Sequence, residues 1–312
     1  MNKPTINSIT RPSGASIDVY QWQAQGEERG VIQLLHGMAE HCLRYQPLAD
    51  FLTSHGWHLV SHNHRGHGPK ASQLGHVQLF AGESDAWDEM VNDAMAVTEY
   101  IAAHFSNIPL ILLGHSMGSF MAQHCLMRAS ADSSPTNYSA VMLSGSTLPS
   151  QLQIKLLQPV IALEQWRLGL DKTSSLITHL SFGSFNKKIK GRRTAYDWLS
   201  RDEVEVDKYI QDPLCGAECS VGFWKSFSQG LLAIKPSEIK QVDQRLPLYI
   251  FSGSHDPVGE MDKGTVKLAN MWVKHGNPVK LHLYPQARHE LFNETNRLEV
   301  FNDVLSWLQA RK

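Results

Sequence analysis

Leu110-Ile111-Leu112-Leu113-Gly114-His115-Ser116-Met117-Gly118-Ser119 decides how this chain folds. The apolar run reads as a buried strand, the Gly-x-Ser-x-Gly as a sharp turn, and Phe120-Met121-Ala122-Gln123 as the opening of a helix. A serine at such a corner is expected to have strained backbone angles and a hydroxyl raised above the sheet. The glycines two positions either side leave room for neighbouring backbone. The helix beginning beside Ser116 points unpaired N–H groups, and the positive end of its dipole, at any negative charge that develops there. Nucleophilic acyl transfer suits this arrangement, with Ser116 as nucleophile, provided that a base and an acid follow in the right order.

Composition bounds the rest. A chain of 312 residues accommodates one α/β sheet domain carrying an insertion. With 42% hydrophobic and 19% charged residues, it is globular and not disordered or fibrous. A net charge of −1 removes the electrostatic case for nucleic acid as a partner. The segment Met1-Asn2-Lys3-Pro4-Thr5-Ile6-Asn7-Ser8 lacks the apolar core of a signal peptide, and about 18 apolar residues never run together. A soluble, cytoplasmic protein is expected. Cys42, Cys125, Cys215 and Cys219 show no metal spacing, because the last two lack a second ligand pair nearby, so free thiols and no metal are expected.

Upstream, residues 16–22 alternate like an edge strand, and Val31-Ile32-Gln33-Leu34-Leu35 reads as a buried one ending in His36-Gly37-Met38-Ala39-Glu40-His41. A strand ending in His-Gly ahead of the nucleophile is where such a fold places its second oxyanion donor. The backbone N–H groups of Met38 and Met117 are the expected pair. Residues 44–54 and 84–105 have helical periodicity, whereas residues 58–62 and 140–144 read as strands. Repeated strand and helix units predict an α/β fold, with a mostly parallel sheet covered by helices on both faces.

From Thr147 to about Gln244 that rhythm stops and helical segments take over. The expected organisation is a core of residues 1–146 and 245–312, with residues 147–244 as a helical cap. Within it, residues 152–170 crowd apolar side chains on more than one face, Leu156, Leu157, Val160 and Ile161 among them. These four are expected to help roof an acyl site as a lid; the rival reading turns an apolar face to lipid, giving transient contact with a membrane surface. The basic residues 187–193 and the acidic residues 201–207 read as solvated surface.

The sheet resumes at residues 246–251, which end in Ser252-Gly253-Ser254-His255-Asp256-Pro257, and the last strand, 280–284, is followed by Ala287-Arg288-His289-Glu290. Serine, then acid, then histidine is the order expected when the nucleophile sits on an elbow, and Ser116, Asp256 and His289 satisfy it. A serine hydroxyl is a weak nucleophile at neutral pH, so an imidazole must take its proton and a buried carboxylate must orient the imidazole. Asp262 and Asp243 are the rival acids. His282 lies inside a strand, and His255 adjoins the acid too closely to be oriented by it.

With these residues placed, the chain resembles α/β-hydrolases of the monoacylglycerol lipase and lysophospholipase group. His36-Gly37-Met38-Ala39-Glu40-His41 with Arg44-Tyr45, His64-Arg65-Gly66-His67-Gly68, Gly114-His115-Ser116-Met117-Gly118, Asp256-Pro257 and His289-Glu290 carry the likeness in order. Asp212-Pro213-Leu214-Cys215-Gly216 in the cap is similar to bacterial members. The resemblance implies a serine esterase acting on lipid monoesters under a mobile cap, without a cofactor. Asn63 stands where relatives commonly carry Asp, and Pro69-Lys70 replaces a small polar residue; neither touches the triad. Two rivals are a proline iminopeptidase-like aminopeptidase, with Asp202, Glu203 and Glu205 neutralising a substrate ammonium, and a silent ligand-binding protein that has lost the chemistry.

Overall fold

The computed structural model describes residues 2–73, 86–131 and 138–311. Met1 and residues 84–85, parts of two segments read above, lie outside the described residues. Eight described strands form one sheet: β1 (Thr5–Thr10), β2 (Ser16–Trp22), β3 (Gly30–Leu35), β4 (Trp57–His62), β5 (Leu110–His115), β6 (Ala140–Ser144), β7 (Leu248–Gly253) and β8 (Val279–Tyr284). Their order is 1-2-4-3-5-6-7-8, antiparallel for β1, β2 and β4 and parallel from β4 through to β8. This is the α/β-hydrolase fold. One expectation is corrected here: β2 is not the edge, because Thr5–Thr10 pairs along its outer side. That first strand is polar and mostly exposed, so hydrophobic patterning carries no signal for it.

The helices are α1 (Gln46–Ser54), α2 (Gly68–Gln73), α3 (Ala86–His104), α4 (Met117–Ala131), α5 (Gln151–Leu168), α6 (Ser175–Thr178), α7 (Ser184–Lys187), α8 (Glu203–Gln211), α9 (Val221–Ala233), α10 (Lys263–His275) and α11 (Arg297–Gln309). The central strands are buried along their whole length, as a sheet covered on both sides requires. Alternate residues divide between two cores. Val31, Leu110, Leu112 and Val141 pack with α3, α4 and α10, whereas Ile32, Ile111, Leu113 and Met142 pack with α1 and α11.

The helical insertion follows β6. Helix α5 has two apolar faces on opposite sides, which explains its crowded sequence. Ile154 and Ile161 are buried inward, while Leu152, Leu156, Leu163 and Trp166 share the outer face and are exposed, Trp166 by 83%. A short π-helical turn, His179–Gly183, joins α6 to α7. No helix among the described residues is long and apolar enough to cross a membrane.

Candidate active site

Because β3, β5, β7 and β8 run parallel, their carboxyl ends lie along one edge of the sheet, and each delivers one expected functional residue there. Ser116 leaves β5 with φ 50, the left-handed region that costs a side-chain-bearing residue about 1–3 kcal/mol. The flanking glycines make the elbow feasible. A Cβ on Gly114 would strike the backbone of Gly118, and one on Gly118 would strike the Leu35 carbonyl of the neighbouring strand. Ser116 N–H donates to the Ser144 carbonyl at 2.9 Å, and α4 begins at the next residue.

Asp256 is buried past the end of β7. Its carboxylate accepts from His289 Nδ1 at 2.9 Å, from the Ser252 hydroxyl at 2.8 Å and from Val258 N–H at 2.9 Å. His289 and Ser116 line the same cavity. Asp243 is instead an exposed partner of Arg245, and Asp262 stands at the start of α10 with φ 85. Burial resists protonation of His289, but the Asp256 carboxylate, with Glu290 and Glu40 beyond it, outweighs that and raises its pKa. Burial likewise resists ionisation of Asp256, and His289, Ser252 and Val258 N–H bring its pKa below the usual range. His115, packed 4.8 Å from His289, is pushed down to about 3 by burial and by that neighbour, so it stays neutral.

A pH dependence follows. A base must be unprotonated to take the serine proton, and the pKa of His289 lies above 6.5. The acid limb of kcat/KM on a soluble ester is therefore expected to have its midpoint above that value, with activity lost as the pH falls through it. A midpoint below 6.5 would mean that burial of the ring outweighs Asp256.

The loop after β3 approaches Ser116 closely: a Cβ on Gly37 would sit 3.3 Å from Ser116 Cβ. The peptide between Gly37 and Met38 is oriented by His36. The ring's Nε2 accepts from His64 N–H at 3.1 Å, which leaves Nδ1 to donate to the Gly37 carbonyl at 2.7 Å. Met38 lines both cavities at Ser116, and Met117 lines one of them. Arg44 lies between the buried Glu40 and Glu290, bonded to Glu40 at 2.7 Å and to both oxygens of Glu290 at 2.6 and 2.7 Å. This bridge ties the β3 loop to the residue beside His289. Burial opposes ionisation of Glu290, and the Arg44 guanidinium overcomes it and holds the carboxyl well below its usual range.

Two cavities meet at Ser116. One, of about 450 Å³, runs past Met117, Phe120, Leu148, Leu157 and Phe227. The other, of about 330 Å³, lies on the His289 side with Thr178, Tyr196 and Glu218. Met38, Phe182 and Trp198 border both. Of the four cap residues expected at an acyl site, Leu157 faces the larger cavity. Leu156 is 67% exposed on the outer side, and Ile161 and Val160 pack into the main core, so the expectation is corrected for these three. Helical phase explains Leu156, which points away from the inward side that Leu157 shares with Ile154, also at the cavity; Ile161 is on that inward side too but stands a turn further along α5, packed in the core. Glu40, Arg44 and Glu290 stood in the quoted blocks without a role, and Trp198, whose ring lies tilted against His289 at 5.1 Å, was missed. Among the described residues, His41, Asp212 and Cys215 alone could gather three metal ligands, within 4.8 Å of one another. The positive charge of Arg44 acts on both Asp212 and Cys215, which opposes a cation there.

Residues 26–296 match the family described as Serine aminopeptidase, S33. The chain belongs to this serine aminopeptidase family. Among its relatives, monoglyceride lipase of Mus musculus is 27% identical over 93% of this chain and 86% of that protein. Monoacylglycerol lipase of Mycolicibacterium smegmatis is 26% identical over 97% and 96%. In fold, this family member superposes on a thermostable carboxyl esterase from Bacillus coagulans with a TM-score of 0.88 at 24% identity, covering 100% of this chain and 99% of that one. The likeness to α/β-hydrolases of the monoacylglycerol lipase group thus holds, and the chain is distantly homologous to lipases and esterases of the serine-hydrolase type.

Proposed function

We propose that this chain is a serine esterase that hydrolyses monoacyl lipid esters, of the monoacylglycerol or lysophospholipid type, through an acyl-enzyme. Ser116 Oγ attacks the ester carbonyl as His289 takes its proton; Asp256 steadies the imidazolium, and Met38 and Met117 N–H groups receive the oxyanion. His289 then protonates the departing alcohol, and a water, activated by the same ring, releases the acid.

The observation that carries this reading is the pair of unequal cavities meeting at Ser116. The alcohol must leave beside the ring that protonates it, so the cavity lined by His289 takes the head group and the larger apolar one takes the acyl chain. Both volumes fall in the range of small-molecule sites, about 300–1,000 Å³. The exposed outer face of α5, with Leu152, Leu156, Leu163 and Trp166, supports contact with the surface of lipid aggregates.

An aminopeptidase, which the family description names, needs a carboxylate for the substrate ammonium. The three candidates are committed elsewhere or outside the cavities. Asp202 caps α8, Glu205 pairs with Lys208 and Arg297, and Glu203 is exposed beside Arg193. Glu260 in the larger cavity pairs with Lys267. Glu218 in the smaller cavity is the remaining carboxylate that an ammonium could meet, and the lipid reading makes proline arylamide a far poorer substrate than a monoacylglycerol; the reverse preference would overturn it.

Each buried methylene contributes about 0.8 kcal/mol, so extending an acyl chain from four to eight carbons is expected to raise kcat/KM roughly a hundredfold, less chain entropy. Leu157→Glu should flatten that gain and spare acetyl esters. Leu156→Glu, on the outer face, should leave it unchanged on monomeric substrates. Monoacylglycerols and p-nitrophenyl esters below their critical micelle concentrations provide the test. A parent that prefers acetyl, or equal effects of the two substitutions, would show that this cavity takes no acyl chain.

A further inference from the structure

Three successive peptide units of the β3 loop are each held by hydrogen bonds. The first, between Gly37 and Met38, is held by His36. The second presents Ala39 N–H to His67 Nε2 at 3.3 Å, while His67 Nδ1 bonds the Arg65 carbonyl at 2.9 Å and so leaves Nε2 to accept. The third is held by the helical insertion. The Ala39 carbonyl accepts from the Tyr209 hydroxyl and from Gly216 N–H, both at 2.9 Å. Ala39 needs such restraint, because its φ of 61 is a left-handed conformation that a residue with a side chain rarely adopts.

The seam around this contact has two further fasteners. The buried Tyr209 ring lies under the Arg44 guanidinium at 4.8 Å, and Arg44 in turn bonds Glu40, two residues after Met38. His41 Nε2 and Asp212 Oδ2 meet at 2.8 Å. Core and insertion are thus joined at the loop that carries the oxyanion donor, 170 positions away in sequence from Tyr209.

We infer that Tyr209 is a positioning residue for the oxyanion hole: through Ala39 it sets the direction of the Met38 N–H, so that the hole is complete only when this part of the insertion is seated. The inference rests on the esterase reading, in which Met38 N–H receives the oxyanion. A loose Ala39 peptide would let the donor swing away from the developing charge; because Ala39, Tyr209 and Gly216 also line the smaller cavity, a short ester with a small alcohol group, which leaves that cavity unfilled, is the substrate on which the effect falls on the transition state and not on binding.

Tyr209→Phe removes the hydroxyl and keeps the ring beneath Arg44. On a short soluble ester, kcat is expected to fall about tenfold, or ~1.4 kcal/mol, with KM within about twofold of the parent. A trifluoromethyl ketone supplies the second readout. Ser116 Oγ adds to its carbonyl carbon, the serine proton passes to His289, and the carbonyl oxygen becomes the oxyanion. Its inhibition constant should rise by the same factor as kcat falls. Asp212→Asn, which weakens the neighbouring fastener, should shift both quantities in the same direction by less, and it carries the test if Tyr209→Phe does not fold. Unchanged kcat and ketone affinity in both variants would overturn the inference, as would a change confined to KM. A parent that the ketone neither inhibits nor labels at Ser116 would instead sink the esterase reading itself.

Discussion

Replacing Ser116 by alanine is expected to lower kcat by about a millionfold, because loss of the nucleophile in a triad removes nearly everything except binding and oxyanion stabilisation. The fold should survive. The serine side chain is half-buried at the cavity wall and outside both apolar cores, and its left-handed backbone is held by the Ser144 carbonyl through the main chain. Alanine bears the same backbone cost as serine at φ 50. Thermal unfolding should shift little, while hydrolysis of a p-nitrophenyl ester and labelling by a fluorophosphonate both disappear. A purified, folded variant that keeps more than a few per cent of parental turnover would exclude Ser116 as nucleophile.

Asp256→Asn is expected to reduce kcat by about ten thousandfold, the loss associated with a wrong histidine tautomer. An amide nitrogen facing His289 Nδ1 would turn that atom into an acceptor and move the ring proton to Nε2, where it blocks acceptance of the serine proton. The alternative amide orientation places the nitrogen toward Val258 N–H, a clash of two donors. Asp262→Asn should change kcat by no more than about threefold, since asparagine tolerates the positive φ that Asp262 adopts and nothing in the triad touches it. Equal losses in the two variants would move the acid elsewhere.

The sheet and the order of the three expected triad residues were legible because parallel strands buried on both faces read as short apolar runs, and because turns just past their ends carry reactive side chains in a set order. Val31–Leu35, residues 110–113 and Ala140–Ser144 needed nothing more than patterning. Thr5–Thr10 was illegible for the opposite reason: an exposed edge strand has no buried face to imprint a period. The cap was legible as helical but not in phase. Leu156 and Leu157 are indistinguishable to a composition argument, and only the packing of α9 against α5 decides which turns inward. Trp198 acts on His289 across 91 positions, and Tyr209 and His67 act on main-chain atoms of Ala39 from 170 and 28 positions away, for which a single sequence holds no spacing rule.

The seam between core and insertion bears on how such chains diversify. The His289 loop hangs from residues 197–201: His289 N–H donates to the Trp198 carbonyl at 3.4 Å and Glu290 N–H to the Leu199 carbonyl at 2.7 Å. Arg288 reaches the carbonyls of Asp197 and Ser200, and Arg201 pairs with Glu294. These short strips are therefore framework, although the chain visits them in the middle of its helical insertion. A chimera that imports a whole foreign lid would tear out acceptors on which the histidine loop depends. One that exchanges only α5 to α7, and keeps residues 197–216 of the host, would change the roof and leave the walls standing.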